Sequence, residues 1–215
     1  MKNINIKYTV YILAGITGTA WFSIGLVSGI DFSDFWSFIK LLPTVVMVDL
    51  VFIGFFLKWA WKWNFLHDWL VPFPNLEGTW EGVIRSSYID AATKNKVAPI
   101  PCILSIKQSY NKISCVMRTR EMTSYSFGEE FRIEGDNQIR QLCYSYTSKP
   151  LPSVTDRSPI HEGTIIFEII GKPAKKLFGN YWTARKTTGE IELTDCCKDI
   201  LDEVPEGMDQ HPMKK

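Results

Sequence analysis

The side chains in this sequence that could do chemistry are hydrogen-bond donors, aromatics and one acid set in an apolar run. In Tyr181-Trp182-Thr183-Ala184-Arg185, alternate residues put Tyr181, Thr183 and Arg185 on one face of an extended chain. A phenol, a hydroxyl and a guanidinium on one face can stack on a planar group and donate hydrogen bonds to an anion. Trp80, Tyr110, Tyr144 and His161 are further candidates for such contacts. The same residues could instead only pack, and Arg185 could stack on the indole of Trp80 to cap a barrel floor. A lone histidine such as His161 is more often structural than functional, and neither His67 nor His211 belongs to its strand. There is no G-x-S-x-G, no H-E-x-x-H, no Walker loop, and no Ser or Cys spaced to pair with a His, so catalysis is not expected. Five cysteines, an odd set without C-x-x-C spacing, argue against both a disulfide framework and a zinc site, and no metal or cofactor is expected.

The acid is Asp49. It lies in one of two charge-poor runs, 8–30 and 41–57, each about long enough for a helix to cross ~30 Å of hydrocarbon. Lys40 and Lys58 can snorkel to lengthen the second, and Trp36, Trp59, Trp61 and Trp63 suit headgroup depth. Pro43 falls near the start of that helix, where its missing N–H costs little. Lys2 and Lys7 before the first span and Lys58 and Lys62 after the second outweigh the linking loop, where Lys40 stands beside Asp31 and Asp34. Both termini are therefore expected on the cytoplasmic side. An ionised carboxylate in hydrocarbon costs at least ~2.5 kcal/mol, so Asp49 must face protein or water. It is read either as a protonated acid bonded within its bundle or to another subunit, or as part of a conducting state. Small residues in the first span, Ala14, Gly15, Gly18 and Ser23, would let helices approach closely.

The chain thus divides into a membrane region (1–71), an all-β domain (75–201) and a polar tail (202–215) expected to be disordered. Alternating segments separated by turn residues place strands at 78–88, 101–110, 112–119, 125–133, 138–147, 161–171, 176–186 and 189–195. Eight strands can close a small antiparallel up-and-down barrel of lipocalin-like form. Thr188-Gly189 is read as the hairpin turn joining the last two strands. Parity points Trp80, Leu104, Ile106, Ile113, Met117, Phe127, Phe131, Ile165, Phe167, Ile169, Tyr181 and Leu193 inward. Gln108, Tyr110, Thr119, Glu129, His161, Thr183 and Arg185 share that parity, with Tyr144 and Tyr146 on a less regular strand. So many inward polar groups favour a small ligand over a filled core. The formal net charge of +1 gives no basic field for a nucleic-acid polymer.

Two spans followed by such a barrel resemble a known family, the membrane effectors of bacterial cyclic-oligonucleotide-based antiphage signalling (CBASS; CD-NTase-associated effectors). The residues that carry the resemblance are Gly78-Thr79-Trp80, His161 with Gly163, and the run from Gly179 to Leu193 that contains Tyr181, Thr183 and Arg185. The resemblance implies that the barrel binds a cyclic dinucleotide as activating ligand. It further implies that the helices then self-associate into homo-oligomers in the bacterial inner membrane, and that the lipid bilayer is disrupted so that the infected cell dies. The competing reading is a membrane-anchored lipocalin-like carrier or sensor of an apolar small molecule, which requires a dry, aliphatic interior. A pure interaction module would instead have a filled core.

Overall fold

The computed structural model describes residues 6–29, 34–67, 69–90 and 94–208. Lys2, Ile30, Asp31 and the end of the tail, with His211, lie outside them, as do the side chains of Lys7 and Cys196. The chain forms two compact units that divide between Phe73 and Pro74.

In the first unit, α1 (Ile6–Ser28) is followed by α2 (Phe35–Lys40) and α3 (Leu42–Lys58). At 1.5 Å per residue the 17 residues of α3 reach only ~26 Å. With α2 ahead of it, the apolar run extends to 24 residues, Phe35–Lys58, and both this run and α1 are long and apolar enough to cross a membrane. The second apolar run is therefore longer than the expected 41–57, and its helix is broken at Leu41. The cause is Pro43, which has no N–H and whose ring excludes the carbonyl four residues back, so the helix restarts with the proline in its first turn. The hydroxyl of Thr17 on α1 donates to Asp49 Oδ2 on α3 at 2.8 Å. Trp36, Trp59 and Trp63 are exposed, as an interfacial belt requires. Trp61 is not part of that belt: it is 1% exposed, its ring lying 6.0 Å from that of Phe73.

The second unit is a closed antiparallel barrel of β1 (Gly78–Ser86), β2 (Ile100–Gln108), β3 (Ile113–Arg118), β4 (Met122–Glu134), β5 (Ile139–Pro150), β6 (His161–Ile170), β7 (Lys176–Thr183) and β8 (Thr188–Cys197), with β8 paired to β1. Alternation packs Trp80, Leu104, Ile106, Phe167, Leu177 and Leu193 into one core. Two sequence expectations fail here for local reasons. Phe127 points outward and is 47% exposed, because Gly128, at φ +70°, forms a bulge that shifts the β4–β5 register between Phe127 and Glu129. One extra residue reverses the parity of everything before it, so Ser124 and Ser126 stand opposite the buried Ser148 and Tyr146. Thr188-Gly189 is likewise not a turn but the paired start of β8, opposite Trp182 and Tyr181. The chain reverses at 184–187, closed by Thr183 N–H donating to Thr187 O at 3.0 Å, with Lys186 at φ +62°.

After β8 the chain runs along the outer face of β1 to β3. Thr79 Oγ1 donates to Asp199 O (2.6 Å) and accepts from Leu201 N–H (2.9 Å), while Ser105 Oγ donates to Leu201 O (2.6 Å). Arg120 then donates to Pro205 O and Met208 O, both at 3.2 Å. This strap buries outward-facing Thr79 and Ile103, each 0% exposed. Its polar composition hides that role, because the bonds use backbone groups that every sequence carries. Thr79→Val keeps the shape but leaves Leu201 N–H and Asp199 O without their partner; a loss of about 1–3 kcal/mol is expected in denaturant or thermal unfolding of the detergent-solubilised protein.

Candidate functional site

One end of the barrel is plugged and the other is open. At the plugged end Gln108 accepts from Leu76 N–H (2.7 Å) and donates to Pro74 O (3.0 Å), and the Trp80 indole donates to Leu76 O (3.0 Å). Gln108 is thus an inward polar residue satisfied by the chain itself. At the open end lies a cavity of about 330 Å³, within the range of small-ligand sites. Its floor is apolar, with Ile84, Met117, Ile165 and Ile191, and its rim is polar, with Tyr146, Tyr181, Thr183, His161, Arg157 and Arg185.

Two cross-strand pairs shape the wall. Tyr146 stands opposite Gly163, and Tyr181 opposite Gly189. A Cβ at Gly163 would lie 2.5 Å from the Tyr146 hydroxyl, and one at Gly189 would lie 2.6 Å from the Tyr181 ring. Each tyrosine can lean over its partner strand only because that residue has no side chain. Thr183 and Thr187 share a hydroxyl hydrogen bond of 2.6 Å that fixes the β7–β8 turn. Arg185, carried on that turn, donates from Nη1 to Ser158 Oγ at 3.2 Å, and among the described residues it has no acidic partner. Arg157, in the β5–β6 connection, forms an ion pair with the buried Glu121 of the β3–β4 turn.

Burial pushes the Tyr146 phenol well up, with Tyr181 adding to the shift and Arg185 opposing it. Burial likewise raises Tyr181, against the Ser86 hydrogen bond and Arg185. Both phenols therefore act as neutral donors at pH 7. Burial lowers His161, Arg185 lowers it further, and its Nδ1 contact with Pro159 O (2.9 Å) opposes them. The arrangement offers planar rings, hydroxyl donors and, in Arg185, a guanidinium with no acidic partner among the described residues, over an apolar base, which suits a flat anionic molecule.

Of the residues singled out in the sequence, Tyr181, Thr183, Arg185 and His161 come together around this cavity. Trp80 does not. It pairs with Asp195 at the plugged end, six residues along β1 from Ser86 and Gly189, or roughly 20 Å from the mouth. The expected Trp80–Arg185 cap is therefore not formed. Tyr110 follows β2 in the turn at the plugged end. Tyr144, 2% exposed, lies in the core with its ring 6.4 Å from Tyr146 and 6.2 Å from Phe167. Tyr146 was recognisable by its parity with Tyr144. Met122 and Ser124 were hidden by the bulge, and Glu121 and Arg157 lie in connections that have no periodic pattern.

Residues 71–195, more than half of the chain and the barrel almost entire, match the family model described as "Cap15, cyclic dinucleotide receptor domain". The chain is also similar to CD-NTase-associated protein 15 of Staphylococcus schleiferi, with 29% identity over 150 residues that make up 70% of this chain and 75% of that protein. Barrel topology, the two apolar helices and the matched span agree: this chain belongs to the Cap15 family of antiphage-signalling effectors and carries that family's cyclic dinucleotide receptor domain.

Proposed function

We propose that the open cavity receives a cyclic dinucleotide and that binding drives α1 and α3 of neighbouring copies together, so that the inner membrane loses integrity and the infected cell dies. The observation that carries the ligand step is the mouth itself. Tyr146 and Tyr181 line it with rings on which a base can stack, and Arg185, with no acidic partner among the described residues, offers its guanidinium to a phosphate. Tyr181, Thr183, Arg185 and His161 contact the ligand, whereas Trp80, Tyr110 and Tyr144 keep structural roles. The lysines flanking the two spans support a cytoplasmic barrel, where a soluble intracellular messenger has access to it.

Asp49 supports the association step. Thr17 satisfies Oδ2, but Oδ1 is buried with no hydrogen-bond partner among the described residues. In hydrocarbon such a group costs several kcal/mol, and a donor from a second copy would remove that cost. An added Cβ at Gly15, Gly18 or Gly54 meets nothing within 4 Å, so these helix surfaces have room for close approach.

The ligand step is tested by titrating the full-length protein in detergent micelles with a panel of cyclic dinucleotides. Heat of binding is expected for at least one, and Arg185→Ala should weaken it about tenfold or more, the worth of one charge-assisted hydrogen bond. Silence across the panel, with binding of an apolar ligand instead, would favour the carrier reading. For the membrane step, Asp49→Leu should abolish ligand-dependent killing of cells, while Asp49→Asn, which retains an acceptor for Thr17, should retain part of it. Unchanged killing by both would remove Asp49 from the mechanism.

A third expectation concerns pH. His161 is held below its ordinary value near 6.5, so the empty protein leaves it neutral at pH 7. A bound dianion favours the imidazolium, and binding then takes up a proton. Affinity should therefore rise as pH falls below neutrality, and His161→Gln should flatten that dependence in titrations between pH 7.5 and 5.5.

A further inference from the structure

Glu121 has no place in a site built only to attract a dianion. It is the one carboxylate among the described residues that line the cavity, and it is 7% exposed. Its backbone is pinned: Glu121 O accepts from Leu151 N–H at 2.8 Å, and its N–H donates to Thr119 Oγ1 at 3.3 Å. Arg157 holds its side chain through Oε1. A carboxylate paired with Arg157 still has no hydrogen bond to donate to a phosphate oxygen, so the phosphates must lie away from it, toward Arg185. What it faces must then donate hydrogen bonds.

Resting on the ligand class proposed above, we infer that Glu121 is a specificity-determining residue that reads the Watson–Crick edge of guanine. Guanine presents two adjacent donors there, N1–H and the exocyclic N2–H, which match the two oxygens of a carboxylate. Adenine offers an acceptor at N1 beside its N6 donor, cytosine an acceptor at N3 beside its N4 donor, and uracil a single donor between two carbonyls. Each of these turns an acceptor toward Glu121 and leaves buried polar groups opposed. Arg157 acts as the positioning residue, neutralising the carboxylate and fixing its plane.

The test uses the full-length protein in detergent micelles, titrated with cyclic di-GMP, cyclic di-AMP and cyclic di-IMP. A matched bidentate pair is worth about 1–3 kcal/mol of discrimination, so cyclic di-GMP should bind about tenfold or more tightly than cyclic di-AMP. Cyclic di-IMP, which keeps N1–H and lacks the exocyclic amine, should fall between them. Glu121→Gln should bring the guanine-to-adenine ratio within about threefold. The ligand series on the unaltered protein makes the test independent of how the variant folds. Equal binding of cyclic di-GMP and cyclic di-AMP overturns the inference alone. So does a Glu121→Gln variant that weakens both alike, which would make Glu121 only the anchor of Arg157. Silence toward all three, and toward the wider panel, overturns the ligand class itself.

Discussion

The pairing of β8 with β1 is the constraint on which the barrel depends. It satisfies the backbone groups of both would-be edges, and it fixes the interior of eight strands at a width that side chains nearly fill. In so small a space a cavity exists only where bulk is withheld. Toward the plugged end, Leu104, Ile106, Phe167 and Leu193 meet and leave no room. Toward the mouth, Gly163 and Gly189 give up their side chains and two tyrosines lean into the space they leave. Receptor and core are thus two halves of one packing problem.

Charge is distributed with the same economy. The buried acid of the cavity is matched by Arg157, and the strap is tied by Arg118 and Arg120 from the end of β3 and the turn after it. Residues 118–121 therefore alternate in duty: Thr119 and Glu121 line the cavity, while Arg118 and Arg120 hold the strap. In the helical unit the hydroxyl of Thr17 and the carboxylate of Asp49 join α1 to α3, and in an apolar setting without competing water such a hydrogen bond gains weight.

The architecture was largely legible in the sequence because two periods dominate it. Charge-poor runs announced the helices, and period-two alternation announced eight strands whose observed limits lie within a few residues of the expected ones. What escaped were local exceptions to those periods. Pro43 divides the second apolar run, and Gly128 inserts one residue into β4 and turns Phe127 outward. Thr188-Gly189 has the composition of a turn, but that glycine is needed inside the strand, beneath Tyr181. The site was legible where it lies on β5 to β7 and the turn after β7, and illegible in the connections after β3 and β5. Glu121 and Arg157 sit 36 positions apart and meet only because the loops after β3 and β5 open at the same end of the barrel.

The seam also sets an order in time. β1 leaves the ribosome before any other strand and β8 after all of them, so the pairing that closes the barrel joins its earliest and latest strands. The strap follows later still, binding back to Thr79 at the start of β1. A growing chain whose two apolar helices are already made therefore has no closed cavity, and Tyr181, Thr183 and Arg185 are still to come. Synthesis itself orders the parts in time: the apolar helices are translated first, and the receptor domain for the messenger is completed last.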